Sequence, residues 1–166
     1  QTRVVYFGGT ATAGTGLGNR GALFAAQSTS KVRKLFPKAQ PVEYNQGLPG
    51  LPSWVAACRA YEDVIMHYIP LGLGVVELTA EDAAEPEERV TAAVEGIVRQ
   101  LRTRLPQAEI LFAYSLPSGG LAAARKGEGP ACIRWHDKVA AHYQLPSVNL
   151  AQYAAGKLES EAGCFA

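Results

Sequence analysis

Short hydrophobic runs alternate along the chain with longer segments in which hydrophobic residues recur every three or four positions. The short runs are rich in β-branched and aromatic residues and lead into Gly, Asn or Ser, which is typical of β-strands. The pattern predicts five strands, at Arg3–Phe7, Pro41–Asn45, Leu73–Thr79, Glu109–Ser115 and Ser147–Leu150.

The segments between these strands carry the helical spacing of hydrophobic residues and the prolines that begin or end helices. The pattern predicts four helices, over Asn19–Phe36, Ser53–Tyr68, Pro86–Leu105 and Pro130–Tyr143. In the first of them, the residues expected to face the core are Leu23, Ala26, Val32, Leu35 and Phe36.

The predicted order of elements is βαβαβαβαβ, with about 30 residues in each strand-helix unit. This alternation favours an α/β fold with a parallel sheet that is covered by helices on both faces. Ligands of such sheets bind at the carboxyl ends of the strands. In this sequence those ends are Thr10, Gly47, Glu81-Asp82 and Ser115.

Composition narrows the possibilities further. The chain has 166 residues, of which 48% are hydrophobic, and a formal net charge of +1. The length predicts one domain over residues 1–166, and the charge balance argues against nucleic acid as a partner. The apolar runs are much shorter than the roughly 20 residues of a membrane-spanning helix. Three cysteines, Cys58, Cys132 and Cys164, permit either one disulfide with a free thiol or three thiols.

The loop after the first strand, Phe7-Gly-Gly-Thr-Ala-Thr-Ala-Gly14, resembles the first sequence block of the SGNH (GDSL-type) hydrolases. Asn45-Gln-Gly-Leu-Pro-Gly50 is similar to the second block, and Val75–Asp82 matches the third in position. The segment His136–Leu150 is similar to the unit before the final block. The resemblance covers nearly the whole chain, in order, and implies a flavodoxin-like, three-layer α/β/α domain with a five-stranded parallel sheet.

In that family a hydroxyl nucleophile attacks an acyl carbon, and backbone N–H groups together with a Gly and an Asn hold the oxyanion. The resemblance places the nucleophile at Thr10, the Gly donor at Gly47 and the Asn donor at Glu81. The methyl group of Thr10 crowds a tetrahedral intermediate. An ionised Glu81 offers no donor and repels an oxyanion, and the loss of one such donor alone costs about 3–4 kcal/mol.

The family's last block, Asp-x-x-His, has no match, because residues 151–166 contain neither His nor Asp. Either a longer chain supplies the two residues beyond residue 166, or they have been lost. The changes at Thr10 and Glu81 favour loss. We interpret His67, His136 and His142 as packed or surface residues on helices, away from the strand ends.

The resemblance and these departures predict a catalytically inactive SGNH-like domain that acts as a binding or structural component of a larger assembly. The alternative is an active carbohydrate or lipid ester hydrolase that uses Thr10. We expect no cofactor and no metal, a protein partner, a glycan or acyl ester as ligand, and an extracellular or secretory location. Because relatives finish with a further helix over the sheet, we also expect an apolar face that a partner covers.

Three other patterns could indicate a binding site, but each is interpreted as an ordinary structural feature. Gly16-Leu-Gly-Asn-Arg-Gly21, with Glu43, matches a dinucleotide fingerprint, but it lies too far beyond the first strand and is interpreted as a flexible turn. The acidic residues Glu81, Asp82 and Glu85 are interpreted as helix N-terminal acids rather than cation ligands. Trp54 and Trp135 are expected at core edges rather than in a sugar groove.

Overall fold

The structure is a computed structural model that describes residues 1–116, 120, 123–124, 126 and 129–160, with backbone alone at 154, 155 and 158–160. Its single sheet has five parallel strands in the order β2-β1-β3-β4-β5. The parallel five-stranded sheet predicted from the sequence is therefore confirmed. The strands are β1 (Thr2–Gly8), β2 (Pro41–Gly47), β3 (Leu73–Glu77), β4 (Glu109–Tyr114) and β5 (Ser147–Asn149).

Helices connect successive strands, as parallel pairing requires. Within the described residues they are α1 (Thr10–Ala13), α2 (Phe24–Leu35), α3 (Ser53–Ala60), α4 (Glu87–Arg104), α5 (Ala131–His142) and α6 (Leu150–Ser160). Shorter turns of 3₁₀ helix lie at Arg20–Ala22, Pro37–Ala39 and Glu81–Ala84, and a π-helical turn at Tyr61–Ile65 continues α3.

Helices cover both faces of the sheet because alternate residues of each strand point to opposite sides. Val5 and Phe7 of β1 belong to a core that includes residues of α3, α4 and α5. Val4 and Tyr6 belong to a second core, which includes Ala25 of α2 and is completed by Leu150 at the start of α6. The three-layer arrangement expected from the resemblance is thus present.

The buried face of α2 differs from the prediction. Leu23 is buried, but Leu35 and Phe36, which the pattern placed in the core, are 72% and 62% exposed. The helix begins at Phe24, later than predicted, and its fully buried positions are the small residues Ala25 and Thr29. These two lie four positions apart, on one side of a helix, where small side chains allow close approach to the sheet.

The helix α6 is a second difference, because the pattern predicted no helix after the strand over Ser147–Leu150. The predicted strand over Ser147–Leu150 ends at Asn149, whose side-chain oxygen accepts the N–H of Gln152 at 2.9 Å. This bond caps the helix that follows. Leu150 and the buried Ala151 then pack against the two cores.

No helix among the described residues is long and apolar enough to cross a membrane.

The exposed position of Leu35 leads to a prediction about stability. Leu101 of α4 is 2% exposed, whereas Leu35 is 72% exposed. We expect Leu101→Ala to lower the free energy of unfolding by about 2–5 kcal/mol, because it leaves a cavity in the core. The same change at Leu35 is expected to cost less than about 0.5 kcal/mol. Urea unfolding of the two variants measures the difference, and equal losses would contradict the placement of α2.

Candidate functional site at the carboxyl ends of the strands

A cleft of about 790 Å³ opens where the loops after β1, β3 and β4 meet. The chain leaves β1 towards β2 on one side and returns to β3 on the other, and such a reversal of strand order creates a crevice at the end of the sheet. Its polar lining includes Thr10, Glu81 and Ser115. Its apolar lining includes Leu17, Phe24, Leu116 and Leu150.

Thr10 and Glu81 are in direct contact. The backbone N–H of Thr10 donates to Oε1 of Glu81 at 2.5 Å. The same carboxylate lies against Gly9, where any side chain would overlap it. Its second oxygen, Oε2, is buried and has no hydrogen-bond partner among the described residues. The Glu81 carboxylate therefore occupies the backbone N–H of Thr10, the residue at which the resemblance implies a nucleophile.

Gly47 is placed behind α1 rather than in the lining of the cleft. A side chain at this position would overlap the backbone of Thr12 and Ala13. The N–H of Gly47 donates to Oδ1 of Asn45 at 2.9 Å, and Nδ2 of Asn45 donates to the Thr12 carbonyl at 2.7 Å. The structure thus brings Thr10 and Glu81 together, whereas the N–H of Gly47 donates to the nearby side chain of Asn45.

The hydroxyl of Thr10 has a backbone partner. Its oxygen accepts the N–H of Gly50 at 3.3 Å. Within the described part of the chain, no histidine is hydrogen-bonded to Thr10. The described contacts therefore give this hydroxyl no general base.

Glu77, at the end of β3, is a buried carboxylate that the sequence analysis did not single out. Its Oε2 accepts both the N–H and the hydroxyl of Thr12, at 3.1 and 2.9 Å. Its Oε1 accepts the hydroxyl of Ser115. Burial raises the pKa of this carboxyl above its usual range, although the donors oppose that effect, and the charge of Glu81 raises it further.

Asp82 and His136 form a second buried contact beside the cleft. The interpretation of His136 as a packed histidine holds, but its predicted distance from the strand ends is wrong. Its Nε2 lies 2.7 Å from Oδ2 of Asp82, which follows β3, and both residues are at most 2% exposed. Oδ1 of Asp82 accepts the N–H of Ser53 at 2.8 Å. The carboxylate thus joins the start of α3 to α5.

The acidic residues after β3 do not form a cation site. Glu81 and Asp82 have the separate partners described above, and Glu85 pairs with Arg89 at 3.1 Å. The described residues contain no group of three or more His, Cys, Asp or Glu that could hold a metal ion. Trp54 is exposed and is not among the residues packed against the core, so the expectation that it lies at a core edge is wrong. Its ring N–H donates to Glu85 at 3.4 Å.

Cys58, Cys132 and Trp135 are not among the residues that line the cleft. Cys58 is exposed and Cys132 is buried, with no disulfide between them. Burial raises the pKa of the Cys132 thiol. Cys164 lies outside the described residues. Trp135 packs partly buried against the core, as expected.

Comparison with solved structures identifies the architecture. A two-domain esterase (CEX) active on acetylated mannans superposes with a TM-score of 0.80 at 20% identity, over 97% of this chain and 40% of that one. AlinE4, an SGNH-hydrolase family esterase, gives 0.70 at 20% identity over 99% and 81%. This chain has the SGNH hydrolase fold. A variant of Axe2, an acetyl-xylooligosaccharide esterase from Geobacillus, gives 0.73 at 13% identity over 96% and 80%.

These likenesses are structural. No family model matches the sequence, and no curated protein matches it. The chain spans less than half the length of CEX, the two-domain esterase. The SGNH fold agrees with the resemblance drawn from the three sequence blocks and the segment His136–Leu150.

The contact between Glu81 and Thr10 predicts an unusual effect on stability. Glu81→Gln keeps an oxygen that can accept the Thr10 N–H and removes a partly buried charge that has one hydrogen bond. We expect the free energy of unfolding to rise by about 1 kcal/mol. Glu62→Gln, at an exposed position, is the control and is expected to change little. Urea unfolding of both variants checks this, and a loss of stability in Glu81→Gln would contradict it.

Glu77 predicts a pH dependence of folding. Because its pKa is raised in the folded state, the folded chain holds a proton that the unfolded chain releases above a pH of about 4.5. The free energy of unfolding, taken relative to that of the Glu77→Gln variant, is therefore expected to fall as the pH rises from about 4.5 through the folded-state pKa. Unfolding measured from about pH 4 to about pH 8 tests this, with Glu62→Gln as control. An unchanged difference across this range would show that Glu77 keeps an ordinary pKa.

Proposed function

We propose that this chain is a catalytically silent SGNH-fold domain that serves as a binding or structural part of a larger assembly. The observation that carries the proposal is that two expected oxyanion donors have other acceptors and the third is replaced. The Thr10 N–H donates to Glu81, and the Gly47 N–H donates to Asn45. The third donor is replaced by Glu81, a carboxylate. Negative charge developing at this point would meet a carboxylate instead of donors.

The surroundings of Thr10 support the same conclusion. A hydroxyl nucleophile needs a base within hydrogen-bond reach. The hydroxyl oxygen of Thr10 accepts from the Gly50 backbone, and the ring nitrogen of His136 is engaged by Asp82. The extra methyl group of Thr adds steric crowding around a tetrahedral intermediate.

The relatives suggest the class of ligand. CEX is active on acetylated mannans, and Axe2 is an acetyl-xylooligosaccharide esterase. A cleft with apolar walls and the hydroxyls of Thr10 and Ser115 suits a glycan or an acyl ester that is held without being cleaved. An extracellular or secretory location remains a prediction. The exposed neighbours Leu35 and Phe36 support a protein partner.

The test combines reactivity with turnover. We expect the chain to gain no mass from a fluorophosphonate probe, and to release no acetate from p-nitrophenyl acetate or acetylated manno-oligosaccharides above the buffer rate. Thr10→Ala is the matched control and is expected to behave identically. Measurement is by intact mass and by acetate release.

One adduct mapped to Thr10, or hydrolysis that Thr10→Ala abolishes, would overturn the proposal. That result would favour an ester hydrolase that uses Thr10, with its Asp and His supplied by another part of the protein.

A further inference from the structure

A second cavity, of about 540 Å³, lies on the other side of the segment that follows α1. It is bounded by the end of the edge strand β2, by the glycine-rich loop of residues 14–21, and by Leu23 and Ala26 at the start of α2. Its size falls within the range of about 300–1,000 Å³ that is usual for small-molecule sites. Thr10, Glu81 and Ser115 do not line it.

The glycine-rich loop and Glu43 meet in this cavity. The sequence alone predicts a flexible turn at Gly16–Gly21, because the loop lies too far from β1 to hold a pyrophosphate. The structure places Asn19, Arg20, Gly21 and Glu43 around the same space. The side chain of Asn19 accepts the Gly21 N–H at 2.8 Å, which gives this part of the loop a defined shape.

Two charged side chains of the cavity have no partner in the described part of the chain. Arg20 and Glu43 form no hydrogen bond and no ion pair there, whereas the oxygens of Asn19 and Asn45 each accept a backbone N–H. Glu43 is partly buried, and its charge contributes to the raised pKa of the Tyr6 hydroxyl, for which burial is the larger cause. A partly buried carboxylate without a donor is costly unless a ligand supplies one.

The lining chemistry defines the ligand. A carboxylate accepts two hydrogen bonds side by side, which matches a pair of neighbouring hydroxyls. A guanidinium donates two parallel hydrogen bonds to a carboxylate or phosphate. The apolar surface of Leu17 and Leu23 fits the C–H face of a sugar ring.

We propose that this cavity binds a sugar that carries neighbouring hydroxyls and an anionic group, with Glu43 accepting from the hydroxyls and Arg20 holding the anion. The site shares Gly14 and Leu17 with the cleft at Thr10, whereas Arg20 and Glu43 line only the second cavity. It requires neither hydrolysis nor its absence there.

The test measures binding of glucuronate, glucose phosphate and uncharged glucose by titration with backbone amide NMR. We expect glucuronate, glucose phosphate or both to bind, with shifts at Asn19, Gly21, Glu43 and Gly47, and glucose to bind about tenfold more weakly or not at all. The binding of only one acid identifies the anion as a carboxylate or as a phosphate.

Substitutions assign the roles. Arg20→Gln and Glu43→Gln are each expected to weaken binding about tenfold. The controls Lys34→Gln and Glu62→Gln make the same charge changes at exposed positions and are expected to leave it unchanged. The amide spectra of the unliganded variants report their folding.

Three results would overturn the proposal. They are no binding of either acid, equal binding of glucose, and shifts confined to Ala80, Glu81, Ser115 and Leu116 in the Thr10 cleft. Because the readout is binding at β2, ester hydrolysis at Thr10 would leave this inference standing while removing the proposed function.

Discussion

The buried carboxylate of Glu77 is the point at which the cleft is assembled. It accepts hydrogen bonds from Thr12 in α1 and from Ser115 beyond β4, while its own strand lies between β1 and β4. One side chain thus fixes the loops of three adjacent strands. Removing a carboxylate from water is unfavourable, and these donors offset part of that cost. The position of Thr10 depends on this arrangement, because Thr10 and Thr12 belong to the same short helix.

Asp82 is a second buried carboxylate that holds neighbouring segments together, on the other side of the loop after β3. Its two oxygens engage the start of α3 and the ring of His136 in α5. The segment between Glu77 and Asp82 is therefore fixed at both ends, and Glu81 lies within it. The close contact of Glu81 with the backbone at Gly9 and Thr10 follows from this constraint.

The sequence predicted the architecture well because a parallel sheet leaves a simple pattern. Strands such as Leu73–Glu77, buried on both faces, give continuous apolar runs, and the helix over Glu87–Arg104 has acids at its start and arginines at its end. The prediction of which face of α2 is buried is wrong, because the small residues Ala25 and Thr29 are buried where larger apolar residues were expected. The helix after Asn149 was missed, although Asn is a favourable N-cap and marks its start.

The site could be predicted only in part. Thr10 and Glu81 could be paired because their strands end at the same edge of the sheet. The role of Glu77 was hidden, since a single acid in an apolar strand does not reveal which loops it will bond. The Asp82–His136 contact joins residues far apart in the chain, and neither local spacing nor composition carries that information.

The closeness of Glu77 and Glu81 also sets the electrostatic character of the cleft. The charge of Glu81 contributes to the raised pKa of Glu77, and neither carboxyl group forms an ion pair within the described residues. An ionised Glu81 therefore adds negative charge to the lining of the cleft. Such a charge disfavours anions, acetate among them, relative to neutral or cationic molecules. The fold is shared with esterases, yet this side chain brings into the crevice a charge of the same sign as that of the acid that ester cleavage releases.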